Sequence, residues 1–321
     1  MKIYNVAFSI TADYLLFCMV TLNSLLKNNP AHFFNIYIVH NNCLENSEID
    51  SLVNQFPLNS LNNFKIHLID ISLNKEISSS IESLHMPYMW TKEVYFSMYY
   101  PILFPNLDKI LSLDTDVLVR GDIRDLIDSN MENLLYVGHN IHPQSSLPRL
   151  QAGIFLMNLE LARKLNITKN LYQYVIKDPH YLEEDAMNQH LDKIKFTPQE
   201  YIACVYAAKF GEFKQNTRDL KKARFIHYLV PKPWMLERTG FYTISLRMNE
   251  YYSYLEDFIK PSKKLQFKLL KLYALTIGPF AISYIRRVNY LYSKLLNKQP
   301  TPKTRRFLRR KIFEYSIIPP K

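Results

Sequence analysis

Glycine is scarce in this 321-residue chain: Gly121, Gly138, Gly153, Gly211, Gly240 and Gly278 are all it has, about 2% against an average usage of roughly 7%. No two are close enough to build G-x-G-x-x-G or a P-loop, which excludes both nucleotide-binding motifs. Cysteine is as sparse. Cys18, Cys43 and Cys204 are odd in number and far apart, so neither a zinc ribbon nor a disulfide framework is available, and a reducing compartment fits. The first apolar run is interrupted by Asp13 and has no small-residue cleavage site before Lys27 to Asn29, so no secretory leader is expected.

Acidic residues are nearly absent from one end of the chain. Residues 261–321 hold 15 Lys or Arg and one acid, Glu314, a net +14, whereas residues 1–260 hold 25 basic and 28 acidic side chains, a net −3. This split predicts a near-neutral catalytic or binding body over 1–260 and a basic, aromatic, helical C-terminal segment over 261–321 that meets an anionic surface, membrane or nucleic acid. Within that segment the apolar piece Leu272 to Ile285 is about 14 residues, short of the roughly 20 of a spanning helix. It suits a membrane interface, followed by the cluster Lys303, Arg305, Arg306, Arg309, Arg310 and Lys311. A solvated basic face with some core contacts is the plainer alternative.

Short β-branched and aromatic runs occur at Ile3 to Ile10, Phe34 to Val39, Phe64 to Ile69, Ile110 to Leu113, Leu135 to Val137, Ile154 to Leu159 and Arg224 to His227. Between the first two, Leu15, Cys18, Met19, Leu22, Leu25 and Leu26 follow helical spacing. The alternation predicts an open α/β sheet with helices on its faces and a ligand at the carboxyl ends of the strands.

One of those ends reads Leu111-Ser112-Leu113-Asp114-Thr115-Asp116-Val117. Two carboxylates one residue apart after an apolar strand point to the same side, and hard divalent cations prefer oxygen ligands of this kind. Alone, the pattern also fits an ordinary acidic turn. Its surroundings are more specific. Upstream are an aromatic stretch, Tyr95 to Phe104, and Pro105-Asn106-Leu107-Asp108-Lys109, and the block Ala7-Phe8-Ser9-Ile10-Thr11-Ala12-Asp13-Tyr14 with Leu22-Asn23-Ser24-Leu25-Leu26 precedes both. Downstream come Gln151-Ala152-Gly153-Ile154-Phe155-Leu156-Met157-Asn158-Leu159, then Glu183-Glu184-Asp185-Ala186-Met187-Asn188, then His227-Tyr228 with Lys232-Pro233-Trp234.

Through these ordered blocks, from Asn5 to Trp234, the chain resembles the retaining enzymes of glycosyltransferase family 8, particularly the bacterial galactosyl- and glucosyltransferases that build lipopolysaccharide or surface glycans. The resemblance implies a GT-A fold, a mixed, mostly parallel sheet flanked by helices. It also implies that Asp114, Asp116 and His227 bind Mn2+ or Mg2+ and that Thr115 belongs to the cofactor site. The metal would hold the diphosphate of a UDP-sugar, with Lys232 as a further point charge on it. Thr11, Asp13 and Tyr14 would contact the nucleoside, with Tyr14 stacking on uracil. Gln151, Ala152 and Gly153 would face the donor sugar, Asp185 would hydrogen-bond it, and Glu184 would lie near the anomeric carbon.

Four positions depart from the family pattern. Thr11 stands where an acid is usual, Gln151 replaces Asn, Glu184 replaces Gln, and Ser97 aligns with an arginine of the helix before Asp114. The last block is one residue short and lacks its usual glycine. At Glu184 a carboxylate either stabilises developing positive charge or attacks it. Glu183, Glu184 and Asp185 also fit an acidic first turn favoured by the helix dipole.

The implied activity is metal-dependent transfer of a hexose to a lipid-linked or glycan acceptor, by a cytoplasmic enzyme peripheral to the inner face of the membrane. Two other classes are consistent with parts of the sequence. One is an inactive transferase-like protein that binds sugar or a partner. The other is a nucleic-acid-binding protein acting through the tail, although the body is slightly acidic and has no recognisable nucleic-acid module, so no nucleic acid is expected.

Overall fold

A computed structural model describes residues 2–55, 63–86, 91–142, 146–206, 222–230, 232 and 250–258. The expected tail, 261–321, lies outside the described residues. The chain divides into two units, residues 1–204 with 214–227 and residues 205–213 with 228–321.

In the first unit the apolar runs become strands. β1 (Ile3–Ser9) pairs in parallel with β2 (Phe33–His40), and β2 with β3 (Phe64–Asp70). On its other side β1 pairs in parallel with β4 (Lys109–Leu113). Strand β5 (Val117–Val119) leaves this sheet, and β6 (Tyr136–Asn140) rejoins it. β7 (Leu150–Asn158) lies antiparallel between β4 and β6, and β8 (Ile194–Phe196) runs parallel to β6. The order is therefore β3-β2-β1-β4-β7-β6-β8, with β7 alone opposing the other six. This is the expected mixed, mostly parallel sheet. Its order reverses between β1 and β4, where an open α/β sheet leaves a crevice at the strand ends. A smaller sheet has the order β5-β10-β9, from β9 (Ile202–Tyr206) and β10 (Phe225–Val230), with His227 of β10 opposite Val117 of β5.

The predicted helix is α1 (Leu15–Asn28), which ends just before Pro30. It is buried from Cys18 through Leu26, polar residues included. Those polar residues serve the backbone around β5. Thr21 Oγ1 donates to the carbonyls of Thr115 at 2.8 Å and Val117 at 2.7 Å. Ser24 Oγ accepts from the Val119 N–H at 3.0 Å, and Asn28 Nδ2 donates to the Val119 carbonyl at 3.0 Å. One edge of β5 is thus bonded by β10, and α1 supplies side-chain partners to the segment that carries Asp114 and Asp116.

Helices α2 (Asn46–Gln55) and α3 (Lys75–Ser83) follow β2 and β3. The aromatic stretch before β4 is a 3₁₀ segment, Lys92–Tyr99, running into α4 (Tyr100–Leu103). α5 (Arg124–Ile127) follows β5, and α6 (Leu159–Lys164), α7 (Ile167–Val175) and α8 (Glu183–Met187) follow β7. Asn158 caps α6 by accepting from the Leu161 N–H at 2.9 Å. One core joins sheet and helices: Ala7, Ile110, Phe155 and Met157 pack with Tyr95, Phe96, Tyr100, Leu171 and Met187. Burying each large apolar side chain contributes about 1.5–3 kcal/mol. In the second unit Tyr228 and Tyr251 meet edge to face at 5.6 Å and are fully buried. No helix among the described residues is long and apolar enough to cross a membrane.

Candidate functional site

The turn between β4 and β5 carries Asp114 and Asp116, and the Asp114 N–H donates to the Gly153 carbonyl at 2.8 Å. One ligand atom from each of Asp114, Asp116 and His227 lies within 4.8 Å of the other two. His227 Nε2 is 3.1 Å from Asp116 Oδ1 and 3.5 Å from Asp114 Oδ2, close enough to pair with either carboxylate when the ring is protonated. The side chains of His227 and Asp116 are 1% and 3% exposed and that of Asp114 is 55% exposed, so the last faces solvent. Two carboxylates and an imidazole nitrogen converging on one point, partly buried, fit a divalent cation. Burial alone would lower the pKa of His227, but the carboxylates of Asp116 and Asp114 outweigh it and raise it to about 9. A cation there would take the proton's place.

Gln151 and Gly153 shape this centre from β7. Gln151 Oε1 lies 3.0 Å from His227 Nδ1, and a proton on Nδ1 donated to that amide leaves Nε2 as the ligand atom. Gly153 is required for space: a Cβ there would overlap His227 at Cε1 and stand 2.7 Å from Asp114 Oδ2. Ala152 is half-buried and its N–H donates to Glu184 Oε2 at 3.1 Å. Thr115 is buried, with its carbonyl held by Thr21.

Glu184 and Asp185 open α8 beside the start of β7. Arg149 Nε donates to Glu184 Oε1 at 2.8 Å, and its Nη2 donates to Asp185 Oδ1 at 2.7 Å. The other Asp185 oxygen accepts from the Leu182 N–H at 2.8 Å. Glu183 is buried, and burial, together with Glu184, Asp114 and Asp185 nearby, pushes its carboxyl well above the usual range. The fully buried Tyr100, whose hydroxyl lies 2.9 Å from Ser9 Oγ, is pushed up to about 12 by the same burial.

Thr11 and Tyr14 are half-buried and Asp13 is exposed on the turn that leaves β1, with the Tyr14 ring edge-on to Phe17 at 6.0 Å. These three stand at the carboxyl end of β1, beside the crevice. Lys232 belongs to the second unit and is half-buried. Ser97, where an arginine was expected from the resemblance, is buried.

Arg149 and His139 carry no sequence expectation. Arg149 lies two positions before Gln151, and that proximity was the available signal. His139 sits at the irregularity between Gly138 and Asn140 on β6 and is fully buried, with neither ring nitrogen hydrogen-bonded. Burial, with His227 nearby, lowers its pKa to about 4. An apolar-looking strand gives no sign of such a histidine.

Comparison with known proteins gives the family and the fold. The lipopolysaccharide 1,2-glucosyltransferase of Escherichia coli is 23% identical over 258 residues, covering 72% of this chain and 73% of its own. The lipopolysaccharide 1,3-galactosyltransferase of Salmonella typhimurium is 26% identical over 260 residues with the same coverage. The structure of galactosyltransferase LgtC in complex with donor and acceptor sugar analogs superposes with a TM-score of 0.61 at 16% identity, over 79% of this chain and 95% of that one. That likeness is one of fold, the GT-A arrangement. The model of glycosyl transferase family 8 matches residues 5–237, and with most of the chain inside that match the protein belongs to glycosyl transferase family 8.

Proposed function

We propose that this protein is a metal-dependent, retaining glycosyltransferase that moves a hexose, galactose or glucose, from a UDP-sugar to a lipid-linked or surface-glycan acceptor such as lipopolysaccharide. The observation that carries the reading is the convergence of Asp114, Asp116 and His227, with the buried His227 Nε2 within 3.5 Å of an oxygen of each carboxylate. The glucosyl- and galactosyltransferase activities named for the relatives support the sugar and acceptor class.

A divalent cation, Mn2+ or Mg2+, would supply neutralisation of the charge that builds on a departing UDP. The chain's own residues do the rest. Gln151 fixes the tautomer of His227. Gly153 keeps the space between His227 and Asp114 open. Thr11, Asp13 and Tyr14 bind the nucleoside, and Lys232 binds the diphosphate. Glu184 and Asp185, held in place by Arg149, face the positive charge that develops on the sugar carbon. The basic tail, 261–321, holds the enzyme at the anionic inner face of the cytoplasmic membrane.

The test is UDP release from UDP-Gal, UDP-Glc, UDP-GlcNAc and UDP-GalNAc by the full chain, with and without Mn2+ and a lipopolysaccharide-core acceptor, beside Asp116→Ala. The expected result is Mn2+-dependent release from one hexose donor, lost in the variant. UDP binding without release from any donor, acceptor present, would overturn the enzyme reading and leave a transferase-like binding protein.

A further inference from the structure

We propose that Arg149 is a positioning residue of the reaction centre and that Glu184 works as one half of an Arg149–Glu184 unit. The proposal rests on the transferase reading above. A guanidinium presents its donors in a rigid planar fork that commonly grips a single carboxylate. Here the fork spans two consecutive side chains, with Nε on Glu184 at 2.8 Å and Nη2 on Asp185 at 2.7 Å. Neighbouring residues of a helix project about 100° apart, so one guanidinium holding both fixes the rotation of the first turn of α8.

The remaining carboxylate oxygens are also occupied. Glu184 Oε2 accepts from the Ala152 N–H at 3.1 Å and Asp185 Oδ2 from the Leu182 N–H at 2.8 Å. Asn188 completes the junction: its Oδ1 accepts from the Leu150 N–H at 2.7 Å, and its Nδ2 donates to the Leu150 carbonyl at 3.0 Å and the Glu184 carbonyl at 2.7 Å. Arg149, Leu150 and Ala152 thus bind α8 from the same short segment that presents Gln151 and Gly153 to His227. The two carboxylates and the support of the metal ligands are built on one stitched unit.

Charge explains why the unit needs an arginine. Glu184 stands beside Glu183, which burial first and then the charges of Glu184, Asp114 and Asp185 already push towards its neutral form. A further carboxylate in this group is tolerable when a cation sits on it, and the Arg149, Glu184 and Asp185 side chains are 33%, 21% and 25% exposed, partly shielded from water. Removing one partner of such a pair leaves the other uncompensated. With both oxygens committed, Glu184 acts as a fixed negative charge beside the sugar and does not swing in as a nucleophile. Lysine lacks the fork and does not replace the arginine.

A double-mutant cycle in the full-length protein tests this, reading kcat and KM for UDP release, Kd for UDP and thermal stability of Arg149→Met, Glu184→Gln, the double variant and Arg149→Lys. Arg149→Met is expected to lower kcat by roughly tenfold or more with Kd for UDP unchanged, a coupling of the size seen between contacting residues. The double variant should recover towards Glu184→Gln, because the Glu184 charge is gone and Asp185, the carboxylate that remains, keeps its bond from the Leu182 N–H, and Arg149→Lys should stay low. Additive effects in the double variant would overturn the proposal. So would a loss of UDP affinity and stability in Arg149→Met that matches its loss of kcat. If Arg149→Met does not fold, Glu184→Gln against the double variant asks the same question, since Arg149 should matter little once Glu184 is uncharged, and a large further loss of kcat there would overturn the unit. A wild-type protein that releases UDP from no donor would remove the transferase reading itself, whereas failure of the unit alone shows only against an active wild type.

Discussion

At the scale of single residues, the centre depends on the absence of one atom. Gly153 is the position where β7 passes closest to His227 and Asp114, and any side chain there displaces the imidazole from the convergence point. Its role is close approach, not backbone freedom. Gly153→Ala is expected to lower Mn2+ affinity by about 10- to 100-fold, the range found when the support of a metal ligand is disturbed. Titration of the purified variant by calorimetry or by the electron-spin signal of free Mn2+ checks this, and unchanged affinity would mean that His227 is not a ligand. Gln151 acts in the same sense from the other ring nitrogen, so its amide faces the histidine as well as the expected sugar position.

At the scale of elements, α1 is a helix whose polar residues bond a neighbouring strand segment. Thr21→Val keeps the shape and removes the hydroxyl that serves the Thr115 and Val117 carbonyls. The expected cost is about 1–3 kcal/mol, the penalty for buried groups left without partners, read by urea denaturation, with Mn2+ affinity reduced because Thr115 lies between the two aspartates. Unchanged stability and affinity would show that the segment holds its shape without α1. The leucine spacing made α1 itself legible in the sequence, but Thr21, Ser24 and Asn28 read as an ordinary wet face, because hydropathy periodicity cannot distinguish a polar residue in water from one bonded inside. β7 was expected only from Ile154, since Gln151 and Gly153 interrupt the apolar run, and those interruptions lie against His227. β5 and β8, three residues each, are too short for any period to register. Asp114, Asp116 and His227 were legible because chemistry-bearing residues recur there in a fixed order of blocks. Arg149 was not, because its partners lie 35 and 36 positions away and an ion pair across that distance leaves no local pattern.

At the scale of the whole molecule, charge is divided between a slightly acidic body and a strongly basic C-terminal segment. The proposed membrane role predicts that the full chain floats with liposomes containing anionic phospholipid and loses this when Arg305, Arg306, Arg309 and Arg310 are changed to Gln, each charge contributing about 1 kcal/mol near such a surface. Flotation unchanged by the substitutions, or absent in the wild type, would return the tail to a solvated basic face. The body has a different long-range property: His227 lies 111 positions after Asp116, and β10, which brings the histidine, is also the hydrogen-bonded partner of β5. At typical synthesis rates that interval takes about 5–20 s. Through it, the nascent chain owns both aspartates and the helix that supports them, yet has no third ligand with which to close the site. On the proposed reading the metal site therefore closes late in translation, and a chain stalled before Phe225 carries both aspartates without the histidine that would complete it.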